Sequence, residues 1–455
     1  MNRLIAIVAL FGLGGCAGLV ENFITQEAPP EVPQGAFCDI KRFSLDVELP
    51  DTSPAVDTAS QNPIADGSYG RSVATALGTG AGDLLFLSGG SQDGAFGAGF
   101  LDEWQKRAGG SLPDFSVVTG ISTGALQSTF AFIDRPAGMV QGYAIEQESD
   151  LLETEFNGAD IRDGLSTKVI LAALGDGAFS DLVPLRGRID TLLTPDVLAE
   201  VAARYVKGRR LYVGATDVDA GRAIAFDMSE LAHRITQTSD VEESRRLKDC
   251  YIEALVASSA VPGAAQPVFI DNRMYIDGGA KFAVFAEDVS NELDQNGNII
   301  SATPLELPNV YVLINGEAEF SSVCGKDDAA ECVGDGPFLA LKGKHIDWNF
   351  LFLAERSVAI LTEQVTRLSI DRARILDRPG ANPARVIRLN RAAADAHVSD
   401  LDGAFGGGAK TCDAWRDEDI ANGDPIEFQP RYMRCLISFG REFAAQTDWI
   451  NPQNP

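Results

Sequence analysis

Gly120-Ile121-Ser122-Thr123-Gly124 sets a serine between two glycines, after the apolar run Phe115 to Val118 and before the small-residue segment Ala125 to Ile133. Glycine two residues either side of a serine suits a tight strand-to-helix turn, where a side chain would clash with a neighbouring element. A hydroxyl presented on such a turn is a candidate nucleophile. Upstream, Asp83-Leu84-Leu85-Phe86-Leu87 runs into Ser88-Gly89-Gly90-Ser91-Gln92-Asp93-Gly94, ahead of a helical stretch from Ala95 to Arg107. Amides of a glycine-rich loop at the positive end of a helix can hold a phosphate or an oxyanion. The phosphate reading is the poorer, because Ala95 and Phe96 stand where a phosphate loop needs Lys and Ser or Thr. Downstream, Met274-Tyr275-Ile276-Asp277-Gly278-Gly279 ends a short strand in an aspartate that can face a neighbouring strand end.

Taken in order, the loop, the serine turn and the Asp-Gly-Gly triplet resemble the patatin-like family of lipid acyl hydrolases. The segment Ala254 to Gly263 is similar to that family's helix leading toward its aspartate. The resemblance implies Ser122 as nucleophile and Asp277 as base, with Gly89, Gly90 and Ser91 forming the oxyanion loop. Gly94, Gly120, Gly124, Gly278 and Gly279 would be the glycines that shape these turns. A buried carboxylate whose pKa is raised can take the serine proton, and the amides of Gly90 and Ser91 would meet the oxyanion. Two residues depart from the family's pattern: Ser91 replaces a usual glycine and Asp93 a usual arginine or lysine. Ser91 is a mild change if its φ stays negative. Asp93 is expected to point away from the oxyanion and cap the helix beginning near Gly94. Its charge could otherwise weaken the site or disfavour anionic head groups. The alternatives are a Ser-His-Asp triad using His397, late in the chain, and a non-catalytic lipoprotein that binds lipid or a partner protein in the same pocket. No cofactor and no metal are implied, and no C-x-x-C pair is present.

At the amino terminus, a short basic start precedes Leu4 to Leu13, which is too short to span a bilayer, and Leu13-Gly14-Gly15-Cys16 follows. This is similar to a bacterial lipoprotein signal. The resemblance implies cleavage before Cys16, acylation of that cysteine and a membrane anchor. Ala17, in place of an aspartate, favours the outer membrane over the inner. Of the seven cysteines, six remain after Cys16, an even number that suits an oxidising compartment. The pairings expected are Cys324 with Cys332 and Cys412 with Cys435. Lys and Arg number 38 against 65 Asp and Glu, a net charge of −27 that repels nucleic acid and anionic lipid surfaces. No nucleic-acid partner is expected, and the two resemblances imply a lipid or ester substrate and a membrane reached through the lipid tether. Nothing in the sequence sets the oligomeric state.

The elements that must position these residues follow from the hydrophobic pattern. Apolar runs at Leu84 to Leu87, Ser116 to Thr119, Leu211 to Ala215, Val268 to Ile270, Val310 to Ile314 and Val386 to Leu389 alternate with helical stretches. That alternation predicts an α/β fold, a mostly parallel sheet covered by helices on both faces. Phe352 to Leu376 and Arg431 to Ala444 have helical periodicity and predict a helical C-terminal extension. The organisation expected is a signal at 1–15, a lipidated, flexible tether at 16–80 and one hydrolase domain at 81–455. Its core spans 83–315 and its extension 316–455. Glu146 to Arg188 is a candidate lid or pocket wall.

Overall fold

The computed structural model describes residues 37–46, 69–78, 82–162, 178–285, 309–316, 332–333, 340–341, 350–374, 384–401, 405 and 407–447. The signal at 1–15, Cys16, and Cys324 of the expected Cys324–Cys332 pair lie outside the described residues.

In chain order the main elements are β1 (Arg42–Ser44), α1 (Tyr69–Gly78), β2 (Asp83–Leu87), α2 (Gly94–Arg107), β3 (Phe115–Ile121), α3 (Thr123–Phe132) and α4 (Ala137–Tyr143). There follow β4 (Ala178–Ser180), α5 (Val183–Leu192), α6 (Pro195–Val206), β5 (Arg210–Asp217), β6 (Arg222–Asp227), α7 (Met228–Gln237) and α8 (Val241–Ser259). The rest are β7 (Gly263–Ala265), β8 (Val268–Ile270), β9 (Arg273–Asp277), β10 (Val310–Ile314), α9 (Phe350–Arg374), β11 (Arg385–Arg388), α10 (Arg391–Ala396), α11 (Cys412–Asn422) and α12 (Pro430–Gln446).

The sheet runs in the order β1-β6-β5-β3-β2-β10-β11. Its centre, from β5 to β11, is parallel throughout. Both faces of these strands are covered, which is why they read as unbroken apolar runs rather than alternating ones. Leu85, Leu87, Tyr311 and Leu313 point to the face packed by α2, α3, α8 and α12. Their neighbours Leu84, Phe86, Val310 and Val312 point to the other face, beneath α1 and the end of α9. The period of two along a strand sends consecutive residues to opposite layers.

The strands β1 and β6 and the antiparallel pairing of this part of the sheet escaped the sequence reading, which places strands at β8 and β9. β6 and β1 add antiparallel to one side of β5, and β9, with β8 beside it, to the other. The expected tether also differs in part, since β1 and α1 both fall within 16–80. Phe43 and Tyr69 pack their rings against Tyr212, and Cys38 is disulfide-bonded to Cys250. The segment's many small and acidic residues hid a short strand and a helix that are stabilised by long-range contacts rather than by local pattern. The expected pairing of Cys412 with Cys435 is present.

The C-terminal extension is part of the same core. Helix α12 lies against α2 so closely that a Cβ at Gly440 would overlap the Phe96 carbonyl and one at Gly99 the Ile437 carbonyl. Phe96, Phe100, Phe439 and Phe443 stack around this crossing.

Candidate active site

Strand β3 ends with Ile121 opposite Gly214 of β5, and the chain then turns away into α3. That exit leaves the next positions of β5 open, and β9 takes them, pairing Asp277 with Ala215. Two residues remote in sequence thus occupy successive places beside one strand. The Ser122 hydroxyl is near enough to the Asp277 carboxyl to favour its ionised form, and the Gly279 N–H donates to Asp277 Oδ1 at 2.6 Å. Both side chains are almost wholly removed from solvent, Ser122 at 7% and Asp277 at 5% exposure. Burial pushes the Asp277 carboxyl up to about 6, against the smaller lowering effects of the Ser122 hydroxyl and the Gly279 hydrogen bond. A carboxylate so placed is a proton acceptor near neutral pH.

The serine sits at φ 53°, ψ −125°, a conformation that costs a non-glycine residue about 1–3 kcal/mol and must be held by its surroundings. Ser258 of α8 holds it, accepting from the Ser122 N–H at 2.9 Å and donating to the Gly214 carbonyl at 2.5 Å. Nothing in the sequence singled out this residue, because its partners lie on two other elements. The flanking glycines have steric reasons. A Cβ at Gly120 would overlap the Gly124 carbonyl, and one at Gly124 the Leu87 carbonyl. At Gly278, a Cβ would stand 2.6 Å from the Gly214 oxygen.

The glycine-rich loop leaves β2 beside this turn. A Cβ at Gly89 would be 3.2 Å from that of Ser122, so the backbone of the loop touches the serine. Asn315, at the end of β10, fixes it: its N–H donates to Ser88 Oγ at 2.9 Å and its side-chain amide to the Ser88 carbonyl at 2.7 Å. Gly90 takes φ 150°, and a side chain there would meet the Gly316 amide. Gly94 begins α2 where a Cβ would overlap the Thr123 hydroxyl.

In this loop the condition set for Ser91 is not met, and the expected role of Asp93 is overturned. Ser91 has φ 49°, not a negative value. Its hydroxyl donates to Glu427 from the C-terminal extension. Asp93 does not cap α2, because it is itself in helical conformation, φ −68°, ψ −13°, and its side chain makes no cap bond. A capping side chain reaches its amides from an extended backbone. The Asp93 carboxylate instead pairs with Arg391 at the start of α10, and Arg391 also donates to the Tyr432 hydroxyl. A cation from the extension thereby answers the carboxylate that replaces the family's usual cation. Gln92 completes the set, accepting from the Gln429 N–H at 3.1 Å. All three residues of the turn Ser91 to Asp93 are therefore held by the C-terminal extension.

From Ser122 an apolar cleft runs along α3, lined by Leu126 and Phe130 and closed by Met139, Leu152, Leu185 and Leu255. Of the candidate wall Glu146 to Arg188, Leu151, Leu152, Ser180, Leu182 and Arg188 line this cleft, and 163–177 lie outside the described residues. Glu427 and Phe428 form part of its mouth. Although Glu427 is exposed as a residue, crowding at its carboxyl raises its pKa, opposed by the Ser91 hydrogen bond and helped by nearby Glu148. His397 is not part of the site. Its ring meets Ser438 Oγ at 3.1 Å and Glu442 at 3.2 Å, both on α12. Ser438 lies mid-helix, where neighbouring amides are already bonded and none is left for an oxyanion. Among the described residues no cluster of His, Cys, Asp and Glu has the make-up of a metal site, and no helix is long and apolar enough to cross a membrane.

Residues 85–289 match the family model described as Patatin-like phospholipase. They form a patatin-like phospholipase domain. The match contains the serine turn, the loop and Asp277, and ends before Arg391, Glu427 and α12. It assigns the patatin-like domain, in general terms, to the lipid acyl hydrolases. Among solved structures, VipD from Legionella pneumophila aligns at 13% identity with a TM-score of 0.30. The alignment covers 51% of this chain and 50% of that one, so this chain spans about half the length of VipD. No curated protein matches the chain.

Proposed function

We propose that this protein is a serine lipid acyl hydrolase of the phospholipase A, lysophospholipase or esterase type, working through a Ser122–Asp277 dyad. The observation that carries the reading is the strand pairing that sets a buried Asp277, its pKa raised to about 6, beside the serine turn. Ser122 Oγ attacks the ester carbonyl and passes its proton to Asp277. The new oxyanion is received by amides of Gly89, Gly90 and Ser91, each donor contributing about 3 kcal/mol in the transition state. Collapse expels the alcohol, which takes the proton from Asp277. Water, deprotonated by the same carboxylate, then releases the acid and restores the serine. The apolar cleft beside Ser122 suits an acyl chain, with lipid or simple ester as substrate.

Fluorophosphonate labelling tests the chemistry. Covalent capture at Ser122 that vanishes in Ser122→Ala and falls sharply in Asp277→Asn supports the dyad. Folded protein that resists labelling supports a lipid or partner-binding lipoprotein instead. We propose further that residues 1–15 are a signal and that lipid on Cys16 anchors the remainder to a bacterial envelope, at the outer membrane. The apolar run before Leu13-Gly14-Gly15-Cys16 supports this. An alkynyl fatty acid incorporated by wild type and absent from Cys16→Ser is the result expected.

A further inference from the structure

Two cavities meet at one wall. The cleft that begins at Ser122 and a second, more open cavity lined by Gln105, Asp134, Arg135 and Gln141 share Phe130, Gly138 and Leu192. Phe130 belongs to α3, Leu192 to the end of α5 and Gly138 to α4. The ring of Phe130 lies directly on the backbone of Gly138: a Cβ there would be 2.5 Å from two of its ring carbons. One turn along the same face of α4, a Cβ at Gly142 would be 3.4 Å from a Leu192 methyl. A shelf of two glycines thus lets two large side chains close the cleft.

We infer that Phe130 and Leu192 are the floor of the acyl site and set the longest chain it takes. The inference rests on the acyl hydrolase reading above. Phe130 is eight residues beyond Ser122 on a helix that rises about 1.5 Å per residue, which puts the floor about 12 Å from the nucleophile. An extended chain advances about 1.2 Å per bond, so roughly ten carbons fill that distance. Up to the floor each added methylene leaves water for the cleft, a gain of roughly fourfold. Beyond it, further carbons have no apolar space to enter. Removing the Phe130 ring joins the cleft to the second cavity and extends the path.

The test is the rate of covalent labelling of Ser122 by alkyl fluorophosphonates from four to sixteen carbons, in wild type, Phe130→Ala and Leu192→Ala. In wild type the rate should climb with length to about ten carbons and then level or fall. In Phe130→Ala the ratio of the sixteen-carbon to the eight-carbon rate should rise at least about tenfold. Leu192→Ala, which opens the wall from its other side, should move the ratio the same way and serves if Phe130→Ala does not fold. Labelling whose length profile is the same in folded variants and wild type overturns the floor and leaves the hydrolase standing. No labelling of wild type at any length overturns both.

Discussion

Replacing Asp277 by asparagine should stabilise the protein increasingly as the pH rises. In the fold the carboxyl is buried and its pKa stands at about 6, against an ordinary 3.8. A displacement of that size means ionised Asp277 is less favourable in the folded chain than in the unfolded one by about 3 kcal/mol. Between 3.8 and about 6 the folded chain keeps a proton that the unfolded chain has released, so wild-type stability falls as pH rises through this window. Above it the cost is complete, and below it both states are protonated and the cost is absent. Asparagine has no charge to bury. The stability of the variant relative to wild type should therefore grow by about 2 kcal/mol between about pH 4 and pH 8. Urea unfolding followed by tryptophan fluorescence at the two pH values measures this growth, with equal m-values as the check on a common transition. The growth is the informative quantity, because weakened contacts with Ser122 and Gly279 shift the acid and neutral points together. A relative stability that is flat with pH, or that shrinks toward pH 8, would refute burial as the source of the carboxyl's basicity.

The same pKa sets the chemistry: fluorophosphonate labelling of Ser122 should be level above pH 6 and fall about tenfold per unit below it. A labelling rate independent of pH between 4 and 7 would remove Asp277 as the base. Arg391→Met should cost about 3 kcal/mol by leaving Asp93 buried without its cation, and Asp93→Asn in the same chain should return most of that loss in chemical denaturation. Replacing Cys38 and Cys250 together by alanine frees a link spanning 212 positions and should lower stability by as much as about 5 kcal/mol, measured against untreated protein.

The elements of the core were legible because their causes are local. Leu84 to Leu87 and Val310 to Ile314 are buried on both faces, so each reads as an unbroken apolar run. Gly120 and Gly124 flank Ser122 because a Cβ at either would strike backbone within the turn or on the adjoining strand, and such a requirement is written as spacing. Of the site, Ser122 was readable from its own neighbours, whereas Asp277 gained its role only through the resemblance to a family. The short strands β1 and β6 were not readable, since each is stabilised by pairing with residues far along the chain, and for the same reason the partner of β9 was not.

By itself, then, the sequence determined the layered α/β core, the serine on its turn, the glycine-rich loop and the strong negative charge. Only the tertiary structure decided that β9 fills the edge of β5 vacated by β3 and so sets Asp277 against Ser122. It also decided that Arg391 and Glu427 hold the glycine-rich loop, that Ser258 clamps the turn, and that Phe130 divides two cavities. The physical reason is range. Periodicity and steric spacing act over a few residues and leave a trace in the order of the letters, while ion pairs, strand edges and cavity walls depend on which distant segments pack together.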